Sequence, residues 1–352
     1  MNYETELDDL IMTLVKEAGS DIHFVVGTFP TVRVNRELIP LTRKKEITPE
    51  DTVGLLRAMI GEKAFTGFVI KQEIDFSYEH KKEYRLRGNA CFQRGVISIT
   101  LRLVPKVKSF PDLGLPDQLL EISRAQQGFF LVVGPVGQGK STTLASMLGV
   151  INTESKRHIV TIEDPIEFRL DPDKSLIEQR EVGVDSTSFE VALAHVFRQD
   201  ADVIMIGEMR DKETIATAVT AAETGHLVLS TLHTNSASQT VDRIVDSFPA
   251  EQQNQIRLQL ASSLLGVLSQ RLVPRVSGGL IPVFELLINT SAVANLIREK
   301  RTHEIDVLIE TGSQEGMIDL DRYLADLVRK GEITKEDALL HSRRPSLFGR
   351  LV

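Results

Sequence analysis

Apolar residues recur at helical spacing over residues 4–18, where Leu7, Leu10, Ile11, Leu14 and Val15 form one stripe that stops at Gly19. That is the pattern of an amphipathic helix with one covered face. Runs rich in β-branched and aromatic residues, bounded by turn residues, predict strands over 21–26, 31–38, 73–78, 84–92 and 97–104. Thr48, Pro49 and Asp51 stand in N-cap order at the start of a further helix. A helix followed by short strands reads as an α+β domain. Residues 105–116, PKVKSFPDLGLP, then interrupt the periodicity with three prolines and two lysines and mark a linker.

Beyond the linker the pattern changes. Apolar strands are predicted over 129–133, 158–162, 203–206, 226–230 and 281–286, with helices over 140–148, 189–198 and 212–222 between them. Near-continuous apolar strands joined by helices predict an α/β domain whose parallel sheet is covered on both faces. Residues 252–272 carry Ile256, Leu260, Leu264 and Leu268 on one helical stripe, and helical segments continue to about residue 340 as a small bundle.

Composition narrows the class. A length of 352 residues suits two domains, each able to bury a core, and 42% hydrophobic residues without a low-complexity tract predict a globular chain, with disorder expected only in the last ten residues. Cys91 is the single cysteine, so neither an intrachain disulfide nor a CxxC zinc site is available. The start, MNYETELDDL, lacks the basic and apolar regions of a signal peptide, and the apolar runs are too short for a transmembrane segment, which predicts a soluble cytoplasmic chain. A net charge of -8 argues against a phosphate-backbone binder, so no direct nucleic-acid partner is expected.

The strongest chemical signal is GPVGQGKS, Gly134 to Ser141, which matches GxxxxGK[ST], follows an apolar strand and precedes a helix-forming run. The backbone of Gly134, Pro135, Val136, Gly137, Gln138 and Gly139 can turn its N–H groups onto phosphate oxygens, with Thr142 following in the helix. Lys140 neutralises β/γ-phosphate charge, and the Ser141 hydroxyl can ligate magnesium. ATP and Mg are therefore the expected cofactors. Hydrolysis also needs carboxylates, and two stand where strands end: Glu163 with Asp164 in HIVTIEDPIE, and Glu208 after Gly207 in DVIMIGE. In a parallel sheet both would gather beside the phosphate loop. His226 and His233 flank the strand LVLST; on one extended strand they point to opposite faces, so shared metal ligation is not expected, and a phosphate sensor or a structural hydrogen bond remains. Arg87, Arg94 and Arg102 lie in or beside the strand pair before the linker, as solvated strand-face charge or as phosphate ligands offered to a neighbouring subunit.

Together these motifs resemble the ATPases of type II secretion and type IV pilus systems, most closely the pilus retraction ATPases of the PilT type. The resemblance rests on SDIHF at Ser20, RGNACFQRG at Arg87, GPVGQGKSTT, TIEDPIEF, RQDADVIMIGEMRD and TGHLVLSTLHTNSA, and covers nearly the whole chain. It implies a PAS-like α+β domain over 1–104, a linker over 105–116, a RecA-like P-loop ATPase core over 117–290 and a helical extension over 291–352. It further implies a homohexameric ring docked on an inner-membrane pilus platform protein. Glu163 would be the catalytic carboxylate, Glu208 would support magnesium through water, His226 and His233 would belong to a His box, and Arg87, Arg94 and Arg102 are candidates for arginines that act on the next subunit's nucleotide.

The chain has neither the long extra amino-terminal region nor the four-cysteine module of the assembly and secretion members, which favours pilus retraction and twitching motility. SAVANLIREKRTHEI, from Ser291, resembles the AIRNLIRE motif of retraction ATPases with Ala294 in place of its Arg, which keeps an accessory retraction role open. Pilus assembly, type II secretion, a nucleic-acid translocase and a non-hydrolysing regulatory ring are the other readings.

Overall fold

The computed structural model describes residues 3–34, 37–81, 83–105 and 107–352. Expectations that touch residues 1–2, 35–36 and 106 lie outside the described residues. The chain forms two compact units, Met1–Lys106 and Val107–Val352.

In the first unit the order is α1 (Tyr3–Lys16), β1 (Asp21–Phe24), β2 (Thr31–Val34), β3 (Glu37–Pro40), α2 (Pro49–Lys71), β4 (Glu73–His80), β5 (Tyr84–Gln93) and β6 (Val96–Leu103). The strands make one sheet in the order β3-β2-β1-β6-β5-β4. Leu7, Leu10, Ile11 and Leu14 bury the apolar stripe of α1 with Leu55, Leu56 and Phe68 of α2 and Ile99 and Leu101 of β6. The helix signal at Thr48 becomes a capping box: the Asp51 amide donates to Thr48 Oγ1 at 3.2 Å, and the Thr48 amide donates to Asp51 Oδ2 at 3.0 Å. The strand expected over 31–38 is instead two strands, with Val34 opposite Glu37 in antiparallel register.

The second unit runs α3 (Gln118–Arg124), β7 (Gly128–Val133), α4 (Lys140–Glu154), β8 (His158–Glu163), β9 (Leu176–Glu181), α5 (Phe189–Val196), β10 (Val203–Ile206), α6 (Lys212–Glu223), β11 (Leu227–Leu232), α7 (Ala237–Asp246), α8 (Ala250–Ser263), β12 (Leu264–Pro274), β13 (Leu280–Ile288), α9 (Ser291–Arg298), α10 (Ile305–Thr311), α11 (Leu320–Arg329), α12 (Lys335–His341) and α13 (Pro345–Phe348). Its sheet has the order β13-β12-β7-β11-β10-β8-β9. Alternation along β7 shows why the strand is apolar throughout. Phe129, Leu131 and Val133 join the core under α5 to α9, whereas Phe130 and Val132 join the core under α3 and α4. In the stretch read as a linker, Phe110 and Leu115 are buried with Leu119 and Ile122 in this second core.

Three expectations are corrected here. The helix read over 252–272 ends at Ser263, and the chain continues as β12, because Leu264 and Leu268 serve the buried sheet as well as they would a helical stripe. The strand expected over 281–286 pairs antiparallel with β12, so the sheet is parallel from β12 through β9 and antiparallel at its β13 edge. Disorder in the last ten residues is replaced by a short helix whose Phe348 is fully buried beside Leu324 and Val283.

Candidate nucleotide site

Parallel register brings the carboxyl ends of four adjacent strands level. Val133 of β7 lies opposite Leu232 of β11, and Ile206 of β10 lies opposite both Ser230 of β11 and Ile162 of β8. The phosphate loop, His233, Glu208 and Glu163 therefore leave the sheet along one edge. They line a cavity of about 690 Å³, of a size that holds a small-molecule cofactor.

The loop's shape depends on glycine. Gly134 has φ 142° and its absent Cβ would lie 2.4 Å from the Gln270 carbonyl oxygen, so backbone meets backbone there with no room for a side chain. Gly139, at φ 80°, caps α4 in the left-handed region. Lys140 opens that helix and its Nζ donates to the carbonyls of Gly134 at 2.8 Å and Pro135 at 2.9 Å. Burial lowers the affinity of this ammonium for its proton, against the pull of Glu208 and Glu167. Val136, Gly137, Gln138, Gly139, Ser141 and Thr142 all face the cavity.

Gln270 of β12 was not singled out from the sequence, yet it fastens the loop. Its Nε2 donates to the Gln138 carbonyl at 2.7 Å, its Oε1 accepts from Thr143 Oγ1 at 2.7 Å, and Gln138 Oε1 accepts from the Leu272 amide at 2.6 Å. No periodicity or motif marks a glutamine inside an apolar strand as a loop clamp.

Glu163 is 5% exposed. Thr161 Oγ1 and Gln179 Nε2 donate to its Oε1 at 2.7 and 3.2 Å, and the Glu167 amide donates to Oε2 at 3.1 Å. Burial raises its pKa, against the effect of those donors. Glu208 differs. Burial acts to raise its pKa too, but hydrogen bonds from Arg210 and His233 outweigh that and lower it. Arg210 also faces Asp164 at 3.9 Å and was likewise missed in the sequence.

His233 bridges the two halves of the site. Its Nε2 donates to Glu208 Oε2 at 3.1 Å, and its Nδ1 accepts from Lys140 Nζ at 3.4 Å, a pairing that fits the Nε2–H tautomer. His226 does not reach this cavity. It precedes β11 at the opposite end of the strand, where its Nδ1 meets the Ala221 carbonyl at 3.0 Å and its ring meets Phe197 edge-on. Its place in the nucleotide set is therefore corrected to a structural one.

The three arginines belong to the first unit. Arg87 of β5 lies opposite Arg102 of β6, and Arg102 Nε donates to buried Asp21 at 2.7 Å. Arg94, at φ 51°, and Gly95, at φ 82°, form the two-residue turn between these strands. Among the described residues, no group of three or more His, Cys, Asp or Glu side chains is disposed to hold a metal ion. No helix among the described residues is long and apolar enough to cross a membrane.

The family described as Type II/IV secretion system protein matches residues 73–311. The type IV pilus retraction ATPase PilT of Pseudomonas aeruginosa is 40% identical, over 97% of this chain and 100% of that protein. The type IV pilus ATPase PilU of the same organism is 39% identical, over 96% and 88%. A crystal structure of the pilus retraction motor PilT with bound ADP superposes with a TM-score of 0.91 at 42% identity, covering 97% of this chain and 98% of that one. Its likeness extends across both units, an amino-terminal β-rich one and a RecA-like P-loop core, and the chain belongs to the Type II/IV secretion system protein family.

Proposed function

We propose that this chain is the subunit of a cytoplasmic homohexameric motor that couples Mg-dependent ATP hydrolysis to type IV pilus retraction. The observation that carries the reading is the convergence of the phosphate loop, Glu163, Glu208 and His233 on one cavity, in a chain 40% identical along its length to a retraction ATPase. ATP places its phosphates on the loop amides and Lys140. Glu163 orients the attacking water and accepts its proton as oxygen bonds to the γ-phosphorus and the bond to the β–γ bridging oxygen breaks, leaving ADP and phosphate. A carboxylate held above its usual range by burial suits that task.

The donor set fits magnesium: Ser141 offers a hydroxyl and Glu208 a carboxylate, both hard oxygens, and Mg commonly keeps water and phosphate for its other positions. Bound there, the ion would neutralise charge developing on the phosphates. Glu208 would support it through water, and His233, touching both Lys140 and Glu208, would sense the γ-phosphate.

The remaining parts of the reading follow from the family. The first unit is a PAS-like domain, with limits 1–104, 105–116, 117–290 and 291–352 for the four parts. Arg87, Arg94 and Arg102 serve the next subunit's nucleotide, and the ring works on an inner-membrane platform protein at the inner face of the membrane. An accessory retraction role is the second reading, favoured by Ala294 in the AIRNLIRE-like segment.

The test is surface pilus density and twitching in the source cell carrying only Glu163→Gln. More pili with lost twitching establishes retraction. Loss of pili moves the chain to assembly, and unchanged pili with partial loss of twitching supports the accessory role.

A further inference from the structure

The C-terminal segment is tied to the start of α7, shortly after His233, through a set of charged contacts that the hydrolysis scheme does not use. Between α12 and α13, Arg343 donates to buried Glu285 of β13 through Nη1 and to Asp306 of α10 through Nη2 at 2.9 Å. Glu285 is 1% exposed, and its other oxygen accepts from the Ala237 amide, the first residue of α7, at 2.9 Å. Asp306 in turn accepts from Ser238 Oγ at 2.9 Å. One guanidinium thus anchors the two carboxylates that grip the start of α7.

The start of α7 is four residues from His233, and the intervening loop is tied to the same segment. The Asn235 carbonyl accepts from Ser269 Oγ at 3.0 Å and faces Arg271, whose Nη1 donates to the His341 carbonyl at 2.7 Å. The Arg343 and Arg344 amides both donate to Asp321, at 2.9 and 3.1 Å, so the backbone that presents the guanidinium is itself fixed. A carboxylate at a helix N-terminus is favourable, but one buried without a cation is strongly disfavoured. Removing Arg343 takes from Glu285 the cation hydrogen-bonded to it and leaves only the field of Arg271, so Glu285 takes a proton or moves, and either change weakens its hold on the Ala237 amide.

We propose that Arg343 is a positioning residue for ATP hydrolysis, acting through Glu285 and Asp306 to hold the 233–238 loop so that His233 bridges Lys140 and Glu208. The inference rests on the reading of the cavity as an ATP-hydrolysing site. Arg343 touches no reacting group itself, and its effect is carried by the placement of His233.

The experiment uses the purified full chain as wild type, Arg343→Ala, Arg343→Lys, His233→Ala and the Arg343→Ala/His233→Ala double variant. It reads kcat and KM for ATP, ADP affinity, and hydrogen exchange over residues 233–240. Arg343→Ala should lower kcat about tenfold with KM and ADP affinity within about twofold, as expected for a loss felt in the transition state. Exchange should rise over 233–240 and stay unchanged in the phosphate loop. In the His233→Ala background the same change should cost less than about twofold, because coupled residues are non-additive. Arg343→Lys, which keeps the charge but not the two-pronged reach, should fall between, and it carries the same cycle if the alanine variant fails to fold.

Fully additive losses, or an unchanged kcat with unchanged exchange, overturn the proposal. If the wild type does not hydrolyse ATP, the ATPase reading fails and the positioning role falls with it, while raised exchange over 233–240 in Arg343→Ala would then mark a purely structural anchor.

Discussion

At the end of β8, Glu163 lies buried among neutral donors, whereas just past the end of β10, the next strand in the sheet, Glu208 stands between an imidazole and a guanidinium. Burial holds the Glu163 carboxyl above its ordinary range, and the Arg210 and His233 contacts hold Glu208 below it despite burial. Under the proposed function, these two environments suit opposite tasks: Glu163 would take a proton, and Glu208 would stay ionised beside Lys140 and a divalent cation. The lesson is that strand position delivers a carboxylate to the site, while the neighbours decide what it does there.

The largest expected effect separates the two by rate. Glu163→Gln should lower steady-state ATP turnover by about 10²-fold or more while leaving ATP binding intact, because it removes a base of the kind worth about 10²–10⁴. Glu208→Gln should cost less, about tenfold, and should raise the magnesium concentration needed for half-maximal turnover, since the protein's charge at the cation is lost but the base remains. Equal losses with unchanged magnesium dependence would erase the distinction.

Stability should then move in opposite directions. A carboxyl with a raised folded pKa contributes stability below its unfolded pKa and loses it as pH rises through the folded value. Glu163→Gln should therefore raise the melting temperature relative to wild type at neutral pH, with the gap closing in acid. A carboxyl with a lowered folded pKa contributes stability above its unfolded value and loses it as pH falls through the folded one. Glu208→Gln should accordingly lower the melting temperature at neutral pH, again converging in acid. Melting curves of both variants across pH decide this, and shifts of the same sign would break the comparison.

The next effect is a pH profile. Turnover should fall on the acid side as Glu163 protonates, and Thr161→Val, which deletes a donor to the ionised form, should move that limb to higher pH. The smallest is Arg210→Ala, where an ion pair with an exposed guanidinium is lost: a stability change of about 1 kcal/mol and a few-fold change in turnover at most are expected.

How much of this was legible in the sequence follows from how local each signal is. The phosphate loop, Glu163 and Glu208 each announce themselves within ten residues, as an apolar run followed by glycine or acid. The loop clamp Gln270, the donor Gln179 and the anchor Arg343 do not, because their partners lie on another strand or 58 and 127 residues away. β12 was hidden for a different reason: in a strand buried on both faces, Leu264 and Leu268 fit a period of 3.6 as well as a period of 2. β9, LIEQRE, went unread because an edge strand with mostly polar residues carries neither period. His226 shows a different limit: the His-box resemblance grouped it with His233, yet the six strand residues Leu227–Leu232 put it at the end of β11 away from the cavity.

The contact between Gly134 and Gln270 bears on how such a machine could transmit force. A flexible glycine loop would ordinarily absorb a push from its ligand by bending, as a cushion does. Here the loop is seated directly against the backbone of β12, with Gln270 tied to both the loop and α4, so little compliance is left between phosphate and sheet edge. β12 is paired antiparallel with β13 over nine residue pairs, and Glu285 of β13 holds α7. The loop, the β12–β13 hairpin and the start of α7 are thereby joined by one continuous path of backbone packing and hydrogen bonds, along which a displacement at the phosphates would pass.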